Sequence, residues 1–385
     1  MATVLVGGAV ANKLHNGGEA WVRLSWIRGL QKLGLDVWFV EQIDSATCVD
    51  ASGAPAAFAE SENRRYFEAV MAEFGLTERA SLLYEDGRES AGPSLAELTD
   101  VAAGADLLVN ISGHLQIPAL MDRLRRKAYV DLDPGFTQFW HADGWTGLAG
   151  HDTYFTVGEN IGRPGCEIPT GGLAWQAVPP PVVLEDWPPA ARDGLGSFTT
   201  VGAWRGAFGV IERDGRTYGL KVHEFRKMIE LPTKVPFRFE IALDIYPGDD
   251  RDRESLESNG WNLLRPAETV RGPLEFRRFV QGSGAEFSVA QGIYVDTHSG
   301  WFSDRSVRYL ASGRPALLQD TGFSDNYPAG EGLVAFRTLD EAVAGAQRIA
   351  ADYDAHRGAA RALAEERFDS DKVLPRFLAQ AGVGT

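Results

Sequence analysis

The chain has 385 residues, 44% of them hydrophobic, with 10 Trp and 20 Phe. This length exceeds the usual single-domain core and predicts two α/β domains with a cleft between them. The 38 Lys and Arg against 53 Asp and Glu give a net charge of −15. This charge repels polyanions, so neither nucleic acid nor an anionic membrane surface is an expected partner.

The start of the chain, Met1 to Val6, runs directly into a strand-like segment and carries no features of a secretory leader. No stretch approaches the roughly 20 consecutive apolar residues of a membrane span. Cys48 and Cys166 are too few and too distant in sequence for a disulfide framework or a zinc site. The sequence therefore predicts a cytoplasmic monomer or homodimer without a membrane span.

Strand-like and helix-like segments alternate over residues 1–180. Residues 4–6 and 37–40 are apolar runs, and between them residues 19–33 place apolar side chains at helical spacing up to Gly34. This order predicts a βαβ unit in a parallel sheet. Further helices are predicted near 62–74 and 95–103, and further strands at 106–111, 128–131 and 154–157. We therefore predict a Rossmann-like, doubly wound domain over residues 1–180.

A cluster of prolines between Pro179 and Pro189 favours an extended connection, so residues 181–193 are predicted to be the linker between the domains. A second α/β domain is predicted over residues 194–365. Its predicted strands are 198–202, 237–243, 285–289 and 316–319, and its predicted helices lie near 219–231 and 304–312. Further helical stretches end the chain.

Residues 298–315, HSGWFSDRSVRYLASGRP, are the most informative segment. Ser303 has the side chain of a good N-cap, and Gly300 lets backbone amides approach a ligand. A small loop that leads into a helix N-terminus suits a diphosphate, because unpaired amides and the helix dipole both point at the anion. An ordinary loop, helix and strand connection is the alternative.

The same segment resembles the donor-binding helix of GT-B glycosyltransferases. In that family a glycine-rich turn, a helix and an Ala-x-Gly-x-Pro sequence precede an apolar strand, and residues 300–303 and 311–318 match these parts. The resemblance implies two Rossmann-like domains facing across a cleft. A nucleoside-diphosphate sugar would bind the second domain and an acceptor the first, and helices at 366–385 would cross back to the first domain. The implied donor-binding residues are His298, Ser299, Gly300, Trp301, Phe302, Ser303, Asp304, Arg305, Ser306 and Asp320.

One departure from the family pattern bears on the mechanism. Retaining members commonly carry two glutamates eight positions apart around this helix, but Arg308 stands at the matching position, five before Gly313. An inverting, metal-independent transfer is therefore expected. The fold often places a basic pair on the β-phosphate, and Arg205 and Lys221 are predicted for this role. Solvated surface cations are the alternative for both residues.

Residues 7–19, GGAVANKLHNGGE, form a glycine-rich loop at the carboxyl end of a predicted strand, where open α/β sheets bind ligands. The spacing fits neither a dinucleotide fingerprint nor a P-loop. By the resemblance this loop reaches the anomeric carbon of the donor. His15 is therefore predicted to be the general base, with Glu19 orienting it or binding the acceptor. Residues Asn16, Gly17 and Gly18 are predicted to bind the acceptor, and a plain turn with an exposed His15 is the alternative.

A second polar cluster follows the predicted strand 128–131. Asp131 and Asp133 project on the same side of an extended chain, and Asp133 is the alternative base or orients His15. A capping aspartate before a Pro-Gly turn is the structural alternative. Core packing is the alternative for the aromatic residues that follow. The residues predicted to line an acceptor pocket are Phe136, Phe139, Trp140 and Trp145, with His114 from the end of a neighbouring strand.

The signatures of a zinc peptidase and of a serine hydrolase are absent, and neither a metal nor a cofactor is predicted. The predicted function is the transfer of a sugar from a nucleoside-diphosphate sugar to a small-molecule acceptor. One alternative is a GT-B epimerase or hydrolase, which would turn over the nucleotide sugar without an acceptor. The other is a non-catalytic two-domain protein that binds a nucleotide or another solute.

Overall fold

The structure is a computed structural model and describes residues 2–191 and 194–384. The residues outside these ranges are Met1, Arg192, Asp193 and Thr385. The predicted domain limits at both chain ends and at the end of the linker therefore fall outside the described residues. Within the described ranges the chain forms two separate, mainly parallel sheets.

The first sheet has eight described strands, which are β1 (Thr3–Gly7), β2 (Asp36–Ile43), β3 (Ala80–Tyr84), β4 (Glu89–Ala91), β5 (Leu107–Ile111), β6 (Lys127–Asp131), β7 (Thr153–Thr156) and β8 (Trp175–Ala177). Their order is β4-β3-β2-β1-β5-β6-β7-β8, and only the pairing of β3 with β4 is antiparallel. The helices along this part of the chain are α1 (Gly17–Lys32), α2 (Glu62–Glu73), α3 (Leu95–Gly104), α4 (Pro118–Met121) and α5 (Phe136–Ala142).

The predicted βαβ unit at the start of the chain is confirmed. β1 and β2 pair in parallel, from Thr3 opposite Asp36 to Gly7 opposite Val40. The side chains of Val4, Leu5 and Val6 are fully buried. A strand that is covered on both faces must be apolar at every position, which is why this strand was recognisable as a continuous apolar run.

The second sheet has six described strands, which are β9 (Ser197–Ala203), β12 (Arg238–Asp244), β13 (Trp261–Leu264), β14 (Ala285–Ser288), β15 (Ala316–Gln319) and β16 (Leu333–Phe336). All its pairings are parallel, in the order β13-β12-β9-β14-β15-β16. A separate antiparallel hairpin is formed by β10 (Ile211–Arg213) and β11 (Arg216–Tyr218).

The helices of the second half alternate with these strands and then close the chain. They are α6 (Lys221–Lys227), α7 (Leu231–Lys234), α8 (Asp250–Ser258), α9 (Pro266–Thr269), α10 (Pro273–Gly282), α11 (Gly292–Asp296), α12 (Asp304–Ala311), α13 (Leu339–Ala351), α14 (Tyr353–Arg367) and α15 (Ser370–Gln380). Both sheets therefore have the doubly wound, Rossmann-like topology that the alternation of segments predicted.

The helix α1 joins the two halves, because it packs against α10 and against the carboxyl-terminal helix α15. The Trp21 indole N–H donates to the Pro273 carbonyl at 2.7 Å. The ring of Phe377 in α15 lies 4.9 Å from the ring of Trp26 and 4.5 Å from that of Phe155 in β7. The end of the chain thus lies on the first sheet. Of the helices in the described ranges, none is long and apolar enough to cross a lipid bilayer.

Candidate functional site

The candidate site lies where the carboxyl ends of the two sheets face each other. In each sheet the strand order reverses once, between β1 and β5 in the first and between β9 and β14 in the second. Such reversals leave a crevice in which open α/β sheets bind ligands. The Tyr294 hydroxyl of α11 crosses this crevice and donates to Asp133 Oδ1 at 3.0 Å. The two reversal points therefore form one shared cleft.

Asp133 is the polar residue at the centre of the cleft. It follows β6 by two residues and is half-buried. Burial raises the pKa of its carboxyl to about 6, and the nearby carboxylates of Asp131 and Glu19 act in the same direction. A carboxylate with a pKa near the working pH is a suitable general base, because it is ionised at pH 7 and still binds a proton readily.

Asp131 has a structural role that fixes its neighbour. Its buried carboxylate accepts hydrogen bonds from the Thr137 hydroxyl at 2.7 Å, the Gln138 amide at 2.8 Å and the Thr156 hydroxyl at 2.7 Å. It also accepts from the Asp133 backbone N–H at 3.1 Å. The structural alternative is therefore correct for Asp131, whose full set of partners leaves no lone pair directed at a ligand.

Lys221 faces Asp133 from the other side of the cleft. It begins α6, is half-buried, and lies within electrostatic range of Asp133, Asp304, Glu286 and Arg305. Burial lowers the pKa of its ammonium group to about 7, and the Arg305 guanidinium lowers it further. An anionic ligand beside such an amine favours its charged form, so Lys221 is suited to bind a phosphate.

Arg205 does not join Lys221, which corrects the predicted basic pair. The Arg205 guanidinium is 45% exposed and makes a bidentate pair with Asp249, with distances of 2.8 Å from Nε and 2.5 Å from Nη2. Both donors of its planar fork are satisfied by this carboxylate. Arg205, which follows β9 by two residues, is therefore held by Asp249 of the segment before α8.

Arg305 is also committed to an internal partner set. Its Nε donates to Glu286 at 2.6 Å, Nη1 to the Val201 carbonyl at 2.8 Å and Nη2 to the Ser288 hydroxyl at 2.5 Å. These contacts tie the first turn of α12 to the ends of β9 and β14. The prediction that Arg305 contacts the donor is wrong in this arrangement, since its guanidinium serves the strand ends.

Two ion pairs face each other where α1 meets α12. Glu19 pairs with Arg23 on α1, and Asp304 pairs with Arg308 on α12. Both arginines are 2% exposed, and Arg308 Nη2 donates to the Ser25 hydroxyl at 3.3 Å across the interface. Burial alone would raise the pKa of Glu19, but Arg23 and Lys13 hold it below its ordinary value. Glu19 therefore remains an anion paired with Arg23, and it does not orient His15 as predicted.

His15 lies outside this cluster. It adopts a positive φ of 57°, and its Nε2 lies 2.7 Å from Arg271 Nη2 and 3.4 Å from a Glu62 carboxylate oxygen. Burial lowers the pKa of the imidazole, and Arg271 lowers it further. The Arg271 donor occupies the Nε2 lone pair that a general base would need. The predicted pairing of His15 with Asp133 is therefore not formed.

The glycine-rich turn after His15 is predicted from sequence to contact the acceptor. In the structure it contacts other parts of the protein. A Cβ on Gly17 would lie 2.1 Å from the Gly272 carbonyl oxygen, and one on Gly18 would lie 3.0 Å from the Phe276 ring. Asn16 N-caps α1 by accepting from the Glu19 N–H at 3.2 Å. These residues bring α1 close to α10, so predicting them as acceptor contacts was wrong.

The loop between β1 and α1 is held by Glu41, a residue that the sequence analysis missed. The buried Glu41 carboxylate in β2 accepts the backbone N–H groups of Val10 at 2.7 Å, Ala11 at 2.9 Å and Asn12 at 2.7 Å. Burial raises the pKa of Glu41 to about 7, whereas these amides act in the opposite direction. The sequence feature that could have identified Glu41 is its charge inside the apolar strand 37–43.

Replacing Glu41 with Ala is expected to lower the free energy of unfolding by about 2 to 5 kcal/mol, because the amides it accepts lose a buried partner. Urea denaturation followed by circular dichroism measures this loss. Glu78→Ala, which removes an exposed carboxylate from the same sheet domain, is expected to change it by less than about 0.5 kcal/mol. Equal stabilities of the two variants would refute the anchoring role.

Some residues of the predicted donor loop pack against other parts of the protein, and others have polar groups beside a pocket. Ser299 is fully buried and donates to the Tyr294 carbonyl, and a Cβ on Gly300 would lie 2.7 Å from the Asn160 side chain of the first half. Phe302 is 1% exposed and packs on Phe368. For Ser299 and Gly300 donor contact was the wrong prediction, because protein atoms already fill the space around them. Phe302 also lines the pocket at the start of α12, and donor contact stays a prediction for it.

Two other predicted donor residues are held by local partners. Asp320 accepts from the Gly322 N–H, the Ser324 hydroxyl and the Arg337 guanidinium, so it caps a turn. His298 has a φ of 54°, and its Nε2 lies 2.7 Å from an Asp325 carboxylate oxygen. The prediction of donor contact is wrong for Asp320, whose oxygens are used within the turn.

The N-terminus of α12 retains polar groups beside a small pocket. Ser303 occupies the N-cap position but makes no side-chain cap bond, and the Ser306 hydroxyl has no hydrogen-bond partner among the described residues. The pocket is lined by Ser303 and Ser306 together with Ser288, Val289, Ala290, Trp301, Phe302, Leu318, Gln319 and Phe323. Hydroxyls beside a helix N-terminus can donate to an anion. Contact with the donor stays a prediction for Ser303, Asp304, Ser306 and Trp301.

The predicted acceptor residues differ in their exposure. Phe136 is 1% exposed and packs between Phe208 and Tyr294, so core packing is correct for it and the predicted acceptor contact is wrong. Trp140 and His114 are half-buried. Burial lowers the pKa of His114 to about 3, so its imidazole is neutral. His114 and Trp140 retain accessible surface for a ligand.

The described residues contain no cluster of three or more His, Cys, Asp or Glu side chains with the geometry of a metal site. No protein-family model matches the sequence, and no curated protein sequence matches it.

Solved structures do match the whole chain. An alpha-glucosyltransferase in complex with UDP and a 13-mer DNA is 11% identical, with 99% of this chain and 100% of that chain covered and a TM-score of 0.60. HepE of Anabaena in complex with UDP-glucose is 10% identical, with coverages of 99% and 100% and a TM-score of 0.60. A glycosyltransferase of Rickettsia africae is 10% identical, with coverages of 99% and 97% and a TM-score of 0.55. The predicted GT-B fold is thereby confirmed.

Proposed function

We propose that this protein is a glycosyltransferase that moves a sugar from a nucleoside-diphosphate sugar to a small-molecule acceptor. The observation that carries the proposal is that α11 contacts both Lys221 and Asp133 in the cleft between two Rossmann-like sheets. Gln291 at its start accepts from the Lys221 backbone N–H at 2.6 Å, and Tyr294 donates to Asp133 at 3.0 Å. Proteins of the same fold have been solved with UDP and with UDP-glucose. A UDP-sugar is therefore the first donor to test.

The proposed reaction is an in-line displacement at the anomeric carbon. Asp133 removes the proton of an acceptor hydroxyl, and the freed oxygen forms the new bond to the anomeric carbon. The bond between that carbon and the diphosphate oxygen breaks, and the diphosphate leaves with the electron pair. The Lys221 ammonium and the N-terminus of α12 stabilise the departing charge, and the displacement inverts the anomeric centre. The scheme uses neither a metal nor another cofactor.

The charge of the chain supports a neutral acceptor. The DNA in the alpha-glucosyltransferase complex is a ligand of that protein. The net charge of −15 in the present chain opposes the approach of a polyanion. We therefore propose a neutral, small acceptor and no nucleic-acid partner.

A thermal-shift screen against UDP, dTDP, GDP, ADP and NAD tests the donor site. A nucleotide that binds only the folded protein is expected to add about 2.7 kcal/mol of stability at 100 times its Kd. Ser303→Ala is expected to reduce this shift, while Ser258→Ala, which changes an exposed serine of the second sheet domain, is expected to preserve it. Stabilisation by NAD alone would refute the proposal.

Release of the nucleoside diphosphate then separates the possible activities. A glycosyltransferase is expected to release it quickly only when an acceptor is present. Equal release without any acceptor would identify a hydrolase or an epimerase. Nucleotide binding without release under any condition would identify a non-catalytic binding protein.

A further inference from the structure

A continuous series of ring contacts leads from the proposed base to the protein surface. Tyr294, which donates to Asp133, lies 6.1 Å from Phe136 between ring centroids. Phe136 lies 5.7 Å from Trp140, and Trp140 lies 6.1 Å from Trp145. The buried end of this series therefore adjoins the reacting groups, and its outer end is Trp145.

The outer rings of the series pack against residues from both halves of the protein. Phe208, which precedes the hairpin of β10 and β11, lies 5.0 Å from the ring of Phe136 and 4.8 Å from that of Trp140. Arg213 of the same hairpin pairs with Asp143 at 3.0 Å, just after α5. The ring series thus links α5 of the first half to the segment around Phe208 and the hairpin of the second half.

The Trp145 indole is fixed in place although it is 38% exposed. Its backbone N–H donates to the Trp140 carbonyl at 2.9 Å, and its own carbonyl lies 3.3 Å from His141 Nδ1. A Cβ on Gly147 would lie 1.9 Å from the indole, so only glycine at position 147 permits this ring position. The backbone bonds of Trp145 and the space left by Gly147 thus set the position in which the ring faces solvent.

The surroundings of Trp145 indicate which ligand its ring would bind. The neighbouring residues Asp143, Gly144 and Thr146 are exposed, so the ring lies among backbone groups and polar side chains. An apolar aromatic ligand favours an enclosed apolar pocket. A sugar ring combines an apolar face of C–H groups with hydroxyls at its rim, and therefore matches an exposed indole bordered by hydrogen-bonding groups.

We propose that the small, neutral acceptor is a short oligosaccharide and that a sugar unit remote from the reacting hydroxyl stacks on Trp145. The role of the reacting end rests on the proposed function, whereas the binding of a sugar at Trp145 does not. The net charge of −15 favours neutral over acidic glycans.

Calorimetric titration of the full chain with neutral tetrasaccharides tests the site without requiring turnover. The probes are maltotetraose, cellotetraose, mannotetraose, xylotetraose and chitotetraose, each compared with the corresponding monosaccharide. At least one tetrasaccharide is expected to bind more tightly than its monosaccharide. Trp145→Ala is expected to weaken that binding about tenfold. Tyr246→Ala removes the more exposed aromatic ring on the second sheet domain, at 69% exposure, and is expected to leave it unchanged.

The outcomes separate this inference from the proposed function. Equal affinities in wild type and Trp145→Ala, or no binding by any tetrasaccharide, would overturn the site at Trp145. Binding that depends on Trp145, without transfer from any nucleotide sugar, would refute the glycosyltransferase activity and leave the sugar site standing. Trp145→Phe retains a ring and is expected to restore much of the affinity, which excludes a general loss of folding.

Discussion

Replacing Asp133 with Asn is expected to lower kcat by about 10²- to 10⁴-fold, the usual contribution of a general base. The change keeps the shape of the side chain and its contact with the Tyr294 hydroxyl while removing the charge that accepts a proton. Initial rates of UDP release in the presence of acceptor measure the effect. Because the side chain is nearly isosteric, the melting temperature is expected to change little.

His15→Ala is the matched control for Asp133→Asn. His15 lies in the loop that precedes α1 and is the base predicted from sequence, but its Nε2 is occupied by Arg271. We expect His15→Ala to retain kcat within about threefold, since surface-loop changes away from the reacting atoms have small effects. A large loss in His15→Ala with an active Asp133→Asn would reverse the assignment of the base.

The pH dependence gives an independent check of the same residue. The pKa of Asp133 is raised to about 6, and only the ionised form can accept a proton. At saturating donor, kcat is therefore expected to be low below pH 6, to rise as the pH passes through about 6, and to level off above it. Asp133→Glu should still show a rise in kcat with pH, whereas Asp133→Asn should not.

Replacing Lys221 with Met is expected to lower kcat/KM by about 10²- to 10³-fold, the cost of removing one preorganised donor from a developing negative charge. The methionine keeps an unbranched side chain of similar length but carries no charge. Arg205→Ala is the matched control, because the Arg205 guanidinium is already paired with Asp249. We expect this control to change kcat/KM by less than about threefold.

The charge of Lys221 also predicts how donor binding responds to pH. Its pKa is lowered to about 7 in the free protein, so the ammonium form is lost as the pH rises above 7. Affinity for UDP is expected to fall over that range, and binding at pH 8 should take up protons, because the diphosphate favours the charged form. Calorimetry in two buffers of different ionisation enthalpy measures this uptake. Proton uptake by Lys221→Met equal to that of wild type would exclude Lys221 as its source.

Local sequence patterns were sufficient for most of the fold. The apolar run at 4–6, the helical spacing of α1 and the segment from Asp304 to Ser312 each correspond to an observed element. These signals arise from periodic burial within one element, which depends on near neighbours in sequence. Short elements such as β8, with three residues, and the hairpin of β10 and β11 were missed, because three residues cannot display a period.

The candidate site was predicted less completely. Asp133 and Lys221 were identified as polar residues near the ends of predicted elements, and both lie in the cleft. Tyr294 was missed because a tyrosine in a short helix has no local signature. Glu41 was missed because its charge in an apolar strand does not show which distant amides it accepts. Gly17 is predicted from sequence to bind the acceptor, but the Gly272 carbonyl fills the space beside it.

What the sequence alone determined about this protein is the order of its strands and helices and the presence of two Rossmann-like halves, because burial repeats along each element. Which polar side chains face the cleft was decided only by the tertiary structure. Arg205 is satisfied by Asp249, 44 residues away, and Glu41 by Val10, 31 residues away. A charged side chain is free to act on a ligand only if no such distant partner occupies it, and that depends on which residues folding brings together in space.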